Sequence, residues 1–188
     1  VGKADVLIGG PPCQPFSKSG YWATGRSARL EDPRAKTLDA YLRVLEDTQP
    51  KAFLLENVEG LAYSGKSEGI DFLLDRIGEI NSRTGTNYQP IGAVLAAADY
   101  GVPQLRSRFF LIGARDGRKL HFPEATPAAT QELWNEPYRT AWDALADVVP
   151  DPEEDLSPKG KWASLLPSIP EGENYLHHTD RGRGKPLF

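Results

Sequence analysis

Short apolar runs alternate with amphipathic stretches along the first part of the chain. Ala4 to Ile8 is a short apolar run containing β-branched residues and stopped by Gly9-Gly10, which predicts a buried strand. From Thr37 to Thr48 the apolar residues Leu38, Tyr41, Leu42 and Leu45 recur at helical spacing, and Pro50 closes the segment. Ala52 to Leu55 predicts a second buried strand that ends at Glu56-Asn57. Ile70 to Ile80 repeats the helical pattern, with Ile70, Leu73, Leu74 and Ile77 on one face. Gln89 to Ala98 and Arg108 to Ala114 predict two strands joined by the turn "DYGVPQ", close enough in sequence to form an antiparallel hairpin. Residues 14–36 lack periodicity and predict a long loop.

This order predicts an α/β fold with a mostly parallel sheet and a C-terminal antiparallel hairpin. Ligands of such sheets sit beyond the carboxyl ends of the strands, so residues following the first two strands should share one crevice. After Gly117 the character changes, which divides the chain into 1–117 and 118–188. Residues 131–148 predict a helix with Trp134, Tyr138, Trp142 and Leu145 as its apolar stripe. Residues 150–170 carry five prolines and the acidic run "DPEED", the pattern of a surface connection. "DRGRGK" near the end is basic and glycine-rich, a linker or a phosphate contact.

Composition adds bounds. At 188 residues, 39% hydrophobic and 26% charged, the chain has the balance of a folded globular domain. The net charge of −4 does not advertise a nucleic-acid binder, but it averages over faces. The loop 14–36 runs the other way: Lys18, Arg26, Arg29, Arg34 and Lys36 stand against only Glu31 and Asp32. A single cysteine permits no internal disulfide and suits a reducing compartment. No apolar run is long enough to cross a bilayer and no leader pattern opens the chain, so the expectation is a cytoplasmic, bacterial-type protein rather than a nuclear or secreted one. The absence of methionine, including at position 1, leads us to expect an internal segment of a longer polypeptide.

Three local features could carry chemistry. Cys13 stands in "GGPPCQPFS", at the end of a strand in a loop stiffened by three prolines. A thiol has an ordinary pKa of about 8.5 and needs a positive or dipolar setting to act as a nucleophile; a free cysteine can also simply be packed. Glu56 in "FLLENVEGL" follows four apolar residues, where a carboxylate is expensive to bury unless paired or protonated. Arg106 and Arg108 in "QLRSR" alternate, so on a strand they point to one face and could grip an acid or a carbonyl-bearing ligand. His121, His177 and His178 sit in no motif, which disfavours a thiol peptidase. No metal is expected.

In their order, "GGPPCQPFS", "ENVEGL" and "DYGVPQLRSRFFLIGAR" closely resemble the DNA (cytosine-5)-methyltransferases. "EDPRAKTLDAYLRVL" resembles the intervening helix of that family, and "SLLPSIPEGENYL" resembles the stretch before its target-recognition region. The likeness is strong over residues 4–117 and looser over 118–188. It implies a Rossmann-like S-adenosylmethionine-dependent methyltransferase fold, here incomplete because the family's first strands and their cofactor-binding glycine turn are absent. It implies a reaction at carbon 5 of cytosine in double-stranded DNA, with S-adenosylmethionine as cofactor. Cys13 would be the attacking thiolate and Glu56 the acid beside ring nitrogen 3. Arg108 would hold the cytosine carbonyl, and Arg106 would orient the glutamate. Asn57 would steady the Pro-Cys loop, with Gln104 as further structural support. Pro12 and Leu38 match positions near the cofactor, and Ser17, Lys18, Arg26 and Arg29 would approach DNA phosphates on a loop that closes over the duplex. By itself this segment is expected to be inactive. The oligomeric state is left open, with a monomer expected. The alternatives are an RNA (tRNA) cytosine-5 methyltransferase and a non-catalytic nucleic-acid-binding relative; Ser17 in "PFS" tilts toward DNA.

Overall fold

A computed structural model describes residues 4–12, 36–62, 68–126 and 137–187. Strand β1 is Val6–Gly9, helix α1 is Lys36–Thr48, strand β2 is Ala52–Val58 and helix α2 is Glu68–Thr84. Strands β3 (Ile91–Ala96) and β4 (Ser107–Ala114) follow, separated by a 3-10 turn at Ala97–Tyr100.

Both long helices form where the apolar spacing places them. Helix α1 buries Leu38, Tyr41, Leu42 and Leu45 as one stripe. It ends where Gln49 enters the left-handed region at φ 43° and donates its N–H to Leu45 O (2.9 Å). Helix α2 buries Leu73, Ile77 and Ile80, whereas Leu74, expected on the same face, is 41% exposed. The Arg83 guanidinium joins the two helices through Glu46 at 2.7 and 3.0 Å.

The strands form one sheet in the order β1-β2-β4-β3. Only β1 and β2 pair in parallel; β2–β4 and β3–β4 are antiparallel. The expected hairpin is present, but the sheet is mixed among the described residues rather than mostly parallel, because the returning strand β4 inserts beside β2. The ladder also carries β2 beyond Leu55: Glu56 pairs with Phe110, Asn57 with Phe109 and Val58 with Arg108. Glu56 therefore lies within a strand instead of following one. The core packs on one face of this sheet, where Phe53, Leu55, Phe109 and Leu111 meet the stripes of α1 and α2. The alternate residues of β2 and β4, Glu56 and Val58 with Arg108 and Phe110, belong to the opposite face.

Two phenols lock the core to the backbone. Tyr41 donates to Leu54 O at 3.0 Å and Tyr88 donates to Pro50 O at 2.6 Å. Burial raises the pKa of both, that of Tyr88 to about 12 and that of Tyr41 further. In the unfolded chain these phenols ionise near 10.0. Above that pH the unfolded state binds fewer protons, so stability should fall as pH rises through the folded values. Urea midpoints at pH 9 and pH 11 should show this loss, and Tyr88→Phe should reduce the slope.

The chain divides into two compact units, Val1–Ala146 and Asp147–Phe188. Two residues that follow Gly117, Thr126 and Tyr138, bond to the 3-10 turn at Ala97–Tyr100. Thr126 donates both its N–H (2.7 Å) and its hydroxyl (2.8 Å) to Asp99 O, and Tyr138 donates to the Asp99 carboxylate at 2.6 Å. The helix expected over 131–148 is, among the described residues, a single turn α3 (Ala141–Leu145) with a Thr140–Asp143 capping box. Of its expected apolar stripe, Trp134 lies outside the described residues, Tyr138 is half-buried, and Trp142 and Leu145 are exposed. In the second unit, 3-10 turns at Ala163–Ser168 and Tyr175–His178 are joined by a Ser168–His178 hydrogen bond of 2.7 Å. Among the described residues, no helix is long and apolar enough to cross a membrane.

Candidate active site

Parallel pairing of β1 with β2 and antiparallel pairing of β2 and β3 with β4 bring three carboxyl ends and the start of β4 to one edge. Two residues of that edge make the central contact. Arg108 Nε stands 3.0 Å from Glu56 Oε1, with the side chains 23% and 37% exposed. Arg108 also donates from Nη1 to Ser107 O at 2.7 Å, which fixes the guanidinium plane. A half-buried ion pair of this kind is screened less than a surface pair and holds the carboxylate in one orientation. The second carboxylate oxygen faces the end of β1: a Cβ on Gly10 would lie 3.0 Å from Glu56 Oε2. Glycine at position 10 thus lets the backbone run directly against the acid.

The backbone beyond Gly10 is held at two further points. Asn57, 3% exposed, donates from Nδ2 to Pro11 O at 3.1 Å and accepts from Val58 N at 2.8 Å. Thr37, at the start of α1, donates its hydroxyl to Pro12 O at 2.5 Å. The chain that leads into residue 13 is therefore tethered from β2 and from α1. Replacing Asn57 by Ala leaves Pro11 O and Val58 N without partners. We expect a loss of about 2–3 kcal/mol in unfolding free energy, read from urea denaturation.

The remaining expected residues fall differently. Cys13, Ser17, Lys18, Arg26 and Arg29 lie outside the described residues. Arg106 is exposed, and among the described residues it makes no ion pair. The contact with Glu56 expected of Arg106 is made instead by Arg108, because Arg108 is the residue inside the ladder, opposite Val58 and one step from Glu56. Both arginines do share a face: with Leu95, Ala97, Tyr100, Phe110 and Pro123 they line an apolar cleft of about 270 Å³. Gln104 is exposed in the turn, where its carbonyl accepts from Arg106 N at 2.9 Å. Leu38 is fully buried in the core. Pro12 keeps exposed surface. Sequence does not single out Thr37; a threonine opening a helix is too common a signal to suggest a tether to Pro12. No group of three or more His, Cys, Asp or Glu residues able to hold a metal ion occurs among the described residues.

The family model for C-5 cytosine-specific DNA methylase matches residues 1–177. The chain belongs to this family. Among curated relatives, Type II methyltransferase M.SacI of Streptomyces achromogenes is 41% identical over 193 residues, covering 100% of this chain and 48% of its own. Type II methyltransferase M1.HphI of Haemophilus parahaemolyticus is 43% identical over 145 residues, covering 76% of this chain and 34% of its own. This member of the C-5 methylase family thus spans about half the length of M.SacI. A crystal structure described as a DNA modification methyltransferase encoded within a prophage (E. coli) superposes with a TM-score of 0.51 at 26% identity, over 89% of this chain and 45% of its own. The α/β, Rossmann-like methyltransferase fold expected from the motifs is the fold of this chain, present among the described residues as a four-stranded mixed sheet.

Proposed function

We propose that this chain is the base-activating part of a DNA (cytosine-5)-methyltransferase of the kind found in type II restriction–modification systems, acting on double-stranded DNA in the cytoplasm. The observation that carries the reading is the Glu56–Arg108 pair, set against the tethered Gly10-Pro11-Pro12 backbone that runs into the chain's single cysteine.

The overall reaction replaces the hydrogen on cytosine carbon 5 by a methyl group, for which S-adenosylmethionine would be the donor. The described residues do not themselves form a cradle for that cofactor. A Cβ on Gly9 would meet the Tyr41 ring at 2.8 Å, the space over Gly10 is taken by Glu56, and Leu38 is buried. Of the expected cofactor neighbours, Pro12 keeps exposed surface.

The steps open to this chain's own residues are those at the base. Carbon 5 belongs to an electron-poor ring and is a weak nucleophile. Addition of the Cys13 thiolate forms an S–C6 bond. The C5=C6 pair moves between C4 and C5, and the C4=N3 pair moves onto N3. A carboxyl group hydrogen-bonded to N3 supplies the proton that this nitrogen takes up, and Glu56 is that group. Arg108 holds Glu56 through Oε1, and Oε2 lies against the Gly10 backbone that leads toward Cys13. Arg106 lines the same cleft as Arg108, and a guanidinium of this pair would take the carbonyl oxygen of the base. Carbon 5 is now an enamine carbon, able to accept the methyl group as the N3 pair re-forms C4=N3. Loss of the C5 proton to water forms C5=C6 as the S–C6 pair returns to sulfur, and N3 gives its proton back to Glu56, which restores both thiolate and acid. A base inside a duplex cannot reach such an edge, so the nucleotide is turned out of the stack at a cost of a few kcal/mol.

The test is transfer of labelled methyl groups by the full-length protein that carries this chain. We expect incorporation into cytosine of duplex DNA and none into tRNA. Labelled tRNA with unlabelled DNA would overturn the assignment, as would the absence of transfer to both. The 188 residues assayed alone are expected to transfer no methyl groups.

A further inference from the structure

The run Arg181-Gly182-Arg183-Gly184-Lys185 is not used by the chemistry above, and the structure gives it a definite form. Its residues alternate: Gly182 and Gly184 are half-buried, while Arg181, Arg183 and Lys185 are exposed. The glycines turn inward because nothing larger fits. A Cβ on Gly182 would lie 2.6 Å from His177 Cα, and one on Gly184 would lie 2.5 Å from His177 Cδ2. The backbone is fastened at four points. Arg181 N donates to Thr179 Oγ1 (3.2 Å), Gly182 N to Thr179 O (3.1 Å), Gly184 N to His177 O (3.0 Å) and Leu187 N to His178 O (2.9 Å). His178 is in turn bonded to Ser168. The segment is therefore a pinned strap that presents three cations outward, not a loose linker.

Those cations are little used within the unit. Arg183 Nε stands 3.7 Å from Glu173 Oε1 while its side chain stays 90% exposed, a surface contact of small worth. Arg181 and Lys185 make no ion pair among the described residues. Of the acids close in sequence, Glu173 meets Arg183 and Asp180 adjoins the strap. A backbone already ordered loses less freedom on binding than a flexible basic tail.

We propose that this strap is a phosphate-binding site for the backbone of double-stranded DNA, one that positions the duplex without reading its sequence. The choice of DNA over another polyanion rests on the methyltransferase reading above. The phosphate chemistry rests on the strap alone.

The experiment is fluorescence anisotropy of labelled duplexes of unrelated sequence with the full-length protein that carries this chain, across a salt series. In the triple variant Arg181→Gln, Arg183→Gln, Lys185→Gln, affinity should fall at least about tenfold for every duplex alike. The slope of log K against log salt should become shallower by roughly 2–3, at about 0.9 for each phosphate no longer neutralised. The control variant Lys159→Gln, Lys161→Gln, which removes cations of the same unit outside the strap, should keep the wild-type slope. An unchanged slope in the triple variant overturns the proposal. So does loss of tRNA binding with duplex binding intact, which would assign the strap to RNA. The assay needs no turnover, so failure of methyl transfer and failure of this site give different results.

Discussion

Glu56→Gln should slow methyl transfer by the full-length protein by about 10²–10⁴-fold in single-turnover experiments, while its affinity for duplex DNA changes little. The substitution keeps the size and strand position of the side chain and removes the proton the carboxyl group can give to ring nitrogen 3. It also removes the charge that holds Arg108 Nε at 3.0 Å. The side chain is carried by a central strand, between β1 and β4, rather than by a surface loop. Its loss should therefore appear in the chemical step rather than in the grip on DNA. Arg108→Lys should reproduce part of the defect, since an ammonium cannot hold the carboxylate and the Ser107 carbonyl together as the guanidinium does. A rate within about tenfold of wild type for Glu56→Gln would remove Glu56 from the acid role.

The parts of this molecule that are legible in sequence are those set by neighbours in sequence. The stripe of Leu38, Tyr41, Leu42 and Leu45 states a helix and its buried face in one pattern, and the structure buries all four. The turn "DYGVPQ" states itself through Gly101, which takes φ 80° and donates to Ala98 O at 3.1 Å. The length of β2 is less legible. Apolar runs end at polar residues, so Glu56 and Asn57 read as the exit of a strand; the ladder with Phe110 and Phe109 continues through them because β4 pairs on that side. Local pattern says nothing about which strand will be the neighbour, and the insertion of β4 between β2 and β3 is what turns a mostly parallel expectation into a mixed sheet.

The same limit applies to the site. Alternation shows that Arg106 and Arg108 share a face, and both do line one cleft. Which of them meets Glu56 is a matter of register across two strands, and register puts Arg108 there. The tethers on Pro11 and Pro12 come from Asn57 and Thr37, residues 46 and 25 positions away. Trp142 and Leu145 show the converse error: helical spacing of large apolar residues implies burial only where another element arrives to cover them, and here they remain exposed.

Cys13→Ala should abolish covalent capture of the protein by a duplex in which the target cytosine carries fluorine at carbon 5. Addition of sulfur at carbon 6 and methylation at carbon 5 can proceed on this substrate. Carbon 5 then holds a fluorine and a methyl group and has no proton to lose. The electron pair needed to expel sulfur never forms, and the S–C6 bond persists through denaturation. The full-length protein should therefore give a protein–DNA band on a denaturing gel, and Cys13→Ala should give none. The alanine variant should still shift the duplex under native conditions, because the groups proposed to hold the backbone are cations elsewhere in the chain. Histidine-assisted thiol chemistry would not produce this pattern, since the adduct depends on fluorine at carbon 5 and not on an acyl group. A surviving band in Cys13→Ala would show that another nucleophile attacks carbon 6. The tethered Pro11-Pro12 backbone and the Glu56–Arg108 pair would then need a different partner, and the assignment of the single thiol would be lost with it.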